Sequence, residues 1–564
     1  MRMFTRFLAV ALIAANGSLV AQTSPLPLTH KPQPTRPDIT AADLMTRLFI
    51  FAADSMLGRE AGMPGNVKGT NYIAAEIKRL GLVPAGDSGT YFQTIPLKTR
   101  AFDTTSTFTV GAAALVAFVD YVPNARIPLA NAALPTVYGG DLADSAHALT
   151  PQQVGGRLVV LRSRGESGRR LRIPIVAGAA AVALIPPRED SLAPQLVAFA
   201  RRPQTFVDDV AAGAAAPQPT FLITGAAAAK LFGKPLDSVT VGTAGGSAAI
   251  ATRYSVTPVA APARNVVGII PGSDPKLKGQ YVAIGGHNDH LGVGRAVDHD
   301  SIRIWNHVVR PEGADDGGKQ ATPAQQAQVD SLLAAYRKTH AGSARQDSTY
   351  NGADDDGSGS VSALEIAEYF AGMRLKPKRS LIFVWHVGEE KGLLGSRFFT
   401  DHPTVPRDSI VAQLNMDMVG RGDAGDETGR TKDGTPLHGS PTYVQLVGSR
   451  RLSTELGDLV EQVNKDGHHD LTFDYSIDAD GHPSNIYCRS DHYEYARYGI
   501  PIVFFTTGLH SDYHQVTDEP EYIDYEHMAR VDKLVADVAL HVANLDHRVV
   551  VDKPKPDPNG ACRQ

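Results

Sequence analysis

Cysteine, excess basic charge and long apolar segments are all scarce in this sequence of 564 residues. The two cysteines, Cys488 and Cys562, are too few for a disulfide-rich scaffold and lack the spacing of a cysteine metal site; whether they pair stays open. The 55 basic residues are outnumbered by 60 acidic ones, which argues against a nucleic-acid partner. Phosphate-binding loops and the Gly-x-Ser-x-Gly elbow of serine hydrolases are absent as well.

The first residues have the pattern of a targeting signal. Arg2 and Arg6 supply positive charge, residues 7–15 form a short apolar run, and Ala21 stands at a position suited to cleavage. We therefore predict a signal peptide over residues 1–21 and a secreted or periplasmic protein. No later apolar run is long enough to cross a bilayer, so we expect no membrane anchor.

Changes in amino-acid composition along the chain predict a main domain with a second domain inserted into it. Residues 22–131 begin the main domain and residues 251–547 complete it. Residues 132–250, which are rich in Ala, Gly, Val and Pro, form the inserted β-rich domain. A polar insertion at about 295–350 is expected to be helical only at Val329–Tyr336 and otherwise a surface loop. Residues 548–564 are expected to form a loose tail.

Near-continuous apolar runs in the main domain predict buried strands that helices cover on both faces. They lie at Val266–Ile270, Tyr281–Ile284, Leu381–Trp385, Ile410–Leu414 and Ile502–Phe505. Helices are predicted after a Thr40 cap, from about Lys68 to Leu80, and from about Val361 to Met373. The fold class is thus α/β with a mostly parallel central sheet flanked by helices, and ligands should gather at the carboxyl ends of its strands.

Polar clusters stand beside these strands, and that placement carries the functional argument. They contain His287 and Asp289; Asp354, Asp355 and Asp356; Glu389 and Glu390; Asp417; and Tyr513 and His514. Each has an ordinary explanation by itself, because a lone histidine is usually a core or surface residue and an acidic turn often caps a helix in solvent. A similar acidic segment at residues 313–318 lacks the following Ser-Gly and helix, and we interpret it as a loop.

Taken together, the clusters offer two histidines and three carboxylates, with one glutamate to spare. Such a set suits two divalent ions that share a carboxylate, while the spare glutamate accepts a proton from water. Nitrogen and oxygen ligands without thiolate favour zinc, and manganese and cobalt stay possible. Tyr513 is suited to donate a hydrogen bond to a developing oxyanion. Spacing alone does not distinguish Glu389 from Glu390.

At these residues the sequence resembles the two-zinc aminopeptidase family that includes bacterial leucyl aminopeptidases and aminopeptidase Y. The resemblance covers about residues 40–547, and the inserted segment resembles the protease-associated domain of that family. The matching motifs are Gly286–Gly292, Asn351–Gly359, Gly388–Ser396, Asn415–Met418 and Tyr513–His514.

The resemblance implies a role for each site residue. His287 and Asp417 would bind one zinc, Glu390 and His514 would bind the other, and Asp355 would bridge the two. Asp289 would orient His287, and Glu389 would be the general base. Asp491 and His492 would shape the substrate pocket, and the Asp355–Asp356 peptide bond would be cis.

The implied activity is that of a metallo-aminopeptidase, which hydrolyses the amino-terminal bond of peptide substrates with two zinc ions. A carboxypeptidase or dipeptidase on the same scaffold is the alternative. A glutaminyl cyclase and a non-catalytic binding protein are less favoured, because cyclases use one zinc and the receptor branch has lost ligands. Every residue of the two-zinc set is present here.

Overall fold

The computed structural model describes residues 27–564 except 126, 143–148, 165–172, 175, 210–217 and 341–343. The predicted signal peptide, residues 1–21, lies outside the described residues. Among the helices that are described, none combines the length and the apolar character needed to cross a membrane. The described chain builds a large α/β domain and a second, separate sheet.

A mixed sheet forms the centre of the α/β domain. Its four middle strands, Ser380–His386, Tyr281–His287, Ile410–Met416 and Ile502–Thr506, lie side by side in this order and are parallel. Antiparallel pairing occurs on both flanks of these four. One flank holds Ala263–Ile270 with Phe92–Ile95 and Val83–Pro84, and the other holds Tyr443–Val447, itself parallel to Thr472–Asp474. The predicted α/β class is confirmed, and parallel pairing occurs among the four middle strands and in one edge pair, Tyr443–Val447 with Thr472–Asp474.

Helices bury both faces of this sheet, which explains the uninterrupted apolar runs of its strands. Alternate residues of one strand enter opposite cores: Phe383 and Trp385 face one side, whereas Ile382 and Val384 face the other. The helices on the first side are Ala41–Phe51, Pro64–Arg79, Gly359–Gly372, Thr454–Asp466 and Tyr525–Asn544. Those on the second side are Leu394–Asp401 and His492–Ala496. The Thr40 side chain caps the first helix as expected, by accepting a hydrogen bond from the Asp43 amide at 3.1 Å.

The second sheet begins earlier than the sequence predicts. Its strands among the described residues are Thr107–Val110, Ala113–Ala114, Tyr121–Ala125, Leu129–Asp141, Leu158–Arg162, Ala181–Ile185, Thr220–Ile223 and Ala244–Thr252. The predicted boundary at residue 132 therefore falls inside a strand. Helices Pro151–Val154, Pro194–Arg201 and Gly225–Phe232 accompany this sheet, which has its own apolar core. A small three-stranded sheet contains Leu97–Phe102, Gln204–Val207 and Tyr254–Pro258, which precede, interrupt and follow the strands of the second sheet in the chain.

The insertion at residues 295–350 is more ordered than the predicted loop. Helix Pro323–Thr339 contains the predicted helical stretch, but a further helix, His299–Val309, was not predicted. Strands Gly292–Asp298 and Gln346–Tyr350 pair as an antiparallel ribbon at its base. The missed helix did carry a signal, because Ile302, Trp305 and Val309 recur at helical spacing.

The carboxyl-terminal segment is also held more firmly than the predicted loose tail. Residues 548–564 contain no helix or strand, yet Cys562 forms a disulfide with Cys488. Arg497 donates a hydrogen bond to the Pro558 carbonyl at 3.0 Å. This settles the pairing that the sequence left open, since both cysteines are consumed in one intrachain bond. A separate antiparallel ribbon of Glu427–Arg430 with Pro436–His438 follows the strand Ile410–Met416 in the chain.

Candidate metal centre

The predicted polar clusters meet at the carboxyl edge of the four parallel strands. His287 is the last residue of one strand, Glu389 and Glu390 follow the next, and Asp417 comes directly after a third. The loop after Ile502–Thr506 carries His514, and the acidic turn at Asp355 leads into helix Gly359–Gly372. Parallel strands bring their carboxyl ends to one edge, so residues far apart in sequence become neighbours there.

Donor atoms at this edge form two groups that share one carboxylate. In each group the donor atoms lie within 4.8 Å of one another; the first holds His290, Asp355, Glu390 and His514, and the second holds His287, Asp355 and Asp417. The Asp355 carboxylate serves both, because its Oδ2 is 2.8 Å from His514 Nε2 and its Oδ1 is 3.1 Å from His287 Nε2. The peptide bond between Asp355 and Asp356 is cis.

Buried atoms without partners show that this donor set fits cations. Within the described part of the chain, His287 Nε2, His290 Nδ1 and Glu390 Oε1 are buried and make no hydrogen bond. His290 Nδ1 is nevertheless only 2.7 Å from Glu390 Oε1. Burial of polar atoms without a partner is costly, and a metal ion is what would satisfy convergent nitrogen and carboxylate donors. Imidazole and carboxylate donors without thiolate are suited to zinc.

A hydrogen bond prepares His287 for such a role. Its Nδ1 lies 3.0 Å from the backbone carbonyl oxygen of Asp289. Because a carbonyl oxygen can only accept, Nδ1 carries the proton. The lone pair of Nε2, which faces Asp355, is then available to a metal ion. The sequence predicted that the Asp289 carboxylate would orient His287. That oxygen is 3.8 Å away, so the prediction is corrected: the main chain of Asp289 makes the close contact.

The Asp289 carboxylate instead holds the loop that carries the two glutamates. Its Oδ1 accepts hydrogen bonds from the amides of Gly388 at 2.7 Å and Glu389 at 3.2 Å. Asp289 thus fixes the backbone from which Glu389 and Glu390 project. The residue belongs to the site, through a different contact from the one expected.

The three consecutive aspartates of the acidic turn have different partners. Asp354 accepts from the Gly420 amide at 2.7 Å, and Asp356 accepts from the His287 amide at 2.9 Å and the Gly359 amide at 2.8 Å. Their carboxylates are therefore engaged with the main chain. Among the three, only the Asp355 carboxylate belongs to both donor groups.

The two adjacent glutamates have different electrostatic surroundings. Burial raises the pKa of Glu389 well above its usual range, although His287 acts in the opposite direction. For Glu390, burial and Asp355 act to raise the pKa, but His514 and His290 prevail and lower it to about 2. Glu390 is therefore the glutamate held as a carboxylate among the donors. Glu389 stands at the edge, with Oε2 3.9 Å from His287 Nε2.

A cavity opens beside the donors, and Glu389 and Tyr513 both line it. Its wall also contains the apolar side chains of Met418, Ile477, Ile486, Phe504 and Leu509 and the uncharged polar side chains of Gln445, Ser484 and Thr506. Arg489 and Ser490 line the cavity as well, and the Ser490 hydroxyl donates to Asp417 Oδ2 at 2.7 Å. Apart from the acidic side chains, His514 and Arg489, the cavity therefore presents uncharged side chains next to the donor cluster.

Asp491 and His492 do not occupy the predicted place in the pocket wall. Both side chains are fully buried behind Ser490, where Asp491 Oδ2 lies 3.4 Å from His386 Nδ1 and His492 stacks on Phe504. Neither residue lines the cavity, so the expected role in shaping the substrate pocket is corrected to an indirect one. They support the cavity wall indirectly, because they follow Ser490 in the chain and His492 stacks on Phe504, and both Ser490 and Phe504 line the cavity.

Sequence reasoning missed two residues of this region. His290 directly follows Asp289 in the Gly286–Gly292 motif, but no role was predicted for it. Arg489 immediately precedes the Ser-Asp-His segment and was passed over as well. Proximity to a recognised motif was the available signal in both cases.

The fold and the site together define a class: an α/β domain with a histidine and carboxylate cluster, suited to divalent cations, at the carboxyl edge of its parallel strands. The sequence profile described as "Peptidase family M28" matches residues 326–539. Residues 326–539 are therefore similar to this peptidase family, and the predicted resemblance to zinc aminopeptidases of this type is confirmed.

Similar proteins carry names consistent with this family. A "Probable zinc metalloprotease" of Pyrenophora teres f. teres is 29% identical over 204 residues, which cover 34% of this chain and 40% of that protein. "Leucine aminopeptidase 1" of Uncinocarpus reesii is 28% identical over 201 residues, 34% of this chain and 46% of that protein. The chain thus spans less than half the length of these curated relatives. A solved aminopeptidase from Aneurinibacillus sp. strain AM-1 aligns with a TM-score of 0.48 at 16% identity, covering 92% of this chain and 97% of that one.

Proposed function

We propose that this protein is an exported metallo-aminopeptidase that hydrolyses the amino-terminal bond of peptides with two zinc ions. The observation that carries the proposal is the Asp355 carboxylate, whose two oxygens face separate donor groups beside an apolar cavity. His287 and Asp417 would hold one zinc, and Glu390 and His514 would hold the other. His290 lies close enough to join the second set.

Zinc bound by these donors would lower the pKa of a shared water and polarise the substrate carbonyl. Glu389 lies at the cavity side of the cluster, where it accepts the proton of the attacking water and returns it to the leaving amine. A carboxyl group suits that exchange, because it can both take up and release a proton. Burial raises the pKa of Tyr513, so its hydroxyl stays protonated and can donate to the developing oxyanion.

The charge of the cavity supports action on the amino terminus. The guanidinium in the wall belongs to Arg489, and it is paired with Asp315 at 2.8 Å. A carboxypeptidase needs a cation for the terminal carboxylate of its substrate, and this one is already neutralised.

Two parts of the proposal concern the rest of the chain. We propose export on the basis of the charged and apolar pattern of residues 1–21, together with a disulfide, which is typical of oxidising compartments. We also propose that the separate sheet over Thr107–Thr252 is a protease-associated domain, on the basis of its position between the two parts of the α/β domain.

The proposed function is tested with the full chain loaded with zinc. Aminoacyl anilides should be cleaved, whereas amino-terminally blocked peptides with a free carboxylate should not. Glu389→Gln should lower kcat by about 10²–10⁴-fold because proton transfer is lost, with bound zinc unchanged. The matched control is Glu526→Gln, at an exposed position of helix Tyr525–Asn544, which should behave as wild type.

Three results would contradict the proposal. Near wild-type turnover by Glu389→Gln would remove the base from the mechanism. Cleavage of the blocked peptides in preference to the anilides would make the protein a carboxypeptidase. Hydrolysis that survives complete removal of metal would exclude a metal-dependent peptidase.

A further inference from the structure

The acidic segment that the sequence indicated to be a plain loop is docked against the metal centre. Residues Gly313–Asp316 form a single 3₁₀ turn of the insertion. The Ala314 amide donates to the Tyr513 carbonyl at 3.0 Å. Gly313 has φ +55°, and a Cβ there would stand 2.6 Å from the Tyr513 carbonyl oxygen and 2.8 Å from that of His510. The insertion therefore packs closely on the loop that carries Tyr513 and His514.

From this turn, Asp315 reaches an arginine of the cavity wall. Asp315 Oδ2 accepts from Arg489 Nη1 at 2.8 Å, and Oδ1 accepts from Nη2 at 3.1 Å. Such a two-point contact fixes the plane of the guanidinium as well as its place. Arg489 Nη2 also lies 3.4 Å from the Tyr513 hydroxyl. Both ionic side chains are largely buried, with 17% and 16% of their surfaces exposed, so solvent screens the pair only weakly.

The pair decides the charge of the cavity wall. Among the described residues that line the cavity, Arg489 supplies the one guanidinium or ammonium group. The other lining residues outside the donor cluster and Glu389 are uncharged: some are apolar, as Ile477, Ile486 and Leu509 are, and some are polar, as Ser484 and Ser490 are. An unpaired guanidinium in that setting would attract an anionic side chain, whereas the Asp315 pair leaves the part of the wall around Arg489 without net charge.

We propose that Asp315 is a specificity-determining residue, which neutralises and positions Arg489 so that the cavity accepts uncharged apolar side chains and rejects acidic ones. The insertion would then contribute directly to substrate choice. This inference rests on the proposed function, because it takes the cavity to bind a substrate side chain. The effect of the Asp315–Arg489 pair on the cavity can also be tested by ligand binding alone.

The test replaces Asp315 by Asn, which keeps the size of the side chain and removes its charge. In zinc-loaded protein, kcat/KM for glutamyl anilide relative to leucyl anilide should rise about tenfold or more over wild type. Calorimetric binding of L-glutamate relative to L-leucine should shift in the same direction. Asp315→Glu, which retains the charge, should keep both ratios close to those of wild type.

A neighbouring residue provides the control for damage to the turn. Asp316 accepts from the Glu312 amide at 3.0 Å and pairs with Lys319 at 2.7 Å, so Asp316→Asn should affect the turn without freeing Arg489. Parallel losses for both anilides in the Asp315 and Asp316 variants would overturn the inference, as would unchanged ratios in Asp315→Asn. If Asp315→Asn does not fold, Asp315→Ser tests the same point.

The two proposals fail in different ways. A wild type that cleaves neither anilide would refute the proposed aminopeptidase function, while the binding ratio of L-glutamate to L-leucine would still test Asp315. A wild type that cleaves leucyl anilide but already binds L-glutamate as tightly as L-leucine would refute the role of Asp315 alone.

Discussion

Arg59 connects the amino-terminal part of the chain to the metal centre, and its replacement by Met should loosen both. The side chain is completely buried, and its guanidinium donates to three carbonyl oxygens: Phe51 at 3.0 Å, Asn351 at 2.7 Å and Gly352 at 2.8 Å. The last two residues open the acidic turn that presents Asp355. Met fills similar space but cannot donate, so all three carbonyls lose this partner.

The expected loss follows from two opposing contributions. Hydrogen bonds to a charged group are worth about 1.5–3 kcal/mol each, so the three together contribute roughly 5–9 kcal/mol. Burial lowers the pKa of Arg59 to about 10, which corresponds to a penalty of about 3 kcal/mol that the substitution removes. We therefore expect Arg59→Met to reduce the free energy of unfolding by about 2–6 kcal/mol. Zinc affinity should fall by about 10–100-fold, since the turn that carries Asp355 is less constrained.

Urea unfolding of wild type and variant, with zinc titration of each, measures both effects. Arg79→Met is the control: Arg79 is 46% exposed and pairs with Glu76 and Glu368, so its loss should cost less than about 1 kcal/mol. A loss below 1 kcal/mol for Arg59→Met, with normal zinc affinity, would refute the reasoning. Equal losses for both variants would show that burial of the guanidinium has no special importance.

Three further predictions concern separate parts of the structure. Asp289→Asn should lower kcat about 10–100-fold with zinc retained, because the amides that set Glu389 lose a charged acceptor; normal kcat would contradict this. Burial raises the pKa of Asp532 in the folded protein above its value in the unfolded chain. The free energy of unfolding of wild type should therefore fall by about 1.4 kcal/mol per pH unit as the pH rises from the unfolded to the folded pKa. Asp532→Asn should flatten that part of the plot of unfolding free energy against pH. Cys562→Ser should cost about 2–4 kcal/mol in thermal unfolding, since the disulfide to Cys488 closes a long loop; an unchanged midpoint would exclude a stabilising bond.

The parts of the fold that local pattern determines were predictable. The buried strands of the sheet are apolar throughout because helices cover both faces, and all five predicted runs are strands. Their carboxyl ends locate the site, so the polar clusters could be placed together before any contact was known. The resemblance then assigned roles that spacing could not separate, as for Glu389 and Glu390.

The contacts that depend on tertiary docking were beyond local pattern. Asp315 and Arg489 are 174 residues apart, and nothing in either segment indicates that the insertion folds back on the cavity. The same holds for the disulfide of Cys562, because an extended terminal segment has no periodicity to reveal where it packs. Asp491 and His492 look like site residues in sequence, yet the tight turn after Arg489 directs both into the core.

The central claim is a pair of zinc ions that share the Asp355 carboxylate. Anomalous diffraction from crystals of the zinc-loaded protein measures this directly. The account predicts two peaks about 3.5–4 Å apart, one beside His287 and Asp417 and the other beside Glu390 and His514, with Asp355 between them. A single peak, or two peaks that do not both contact Asp355, would contradict it.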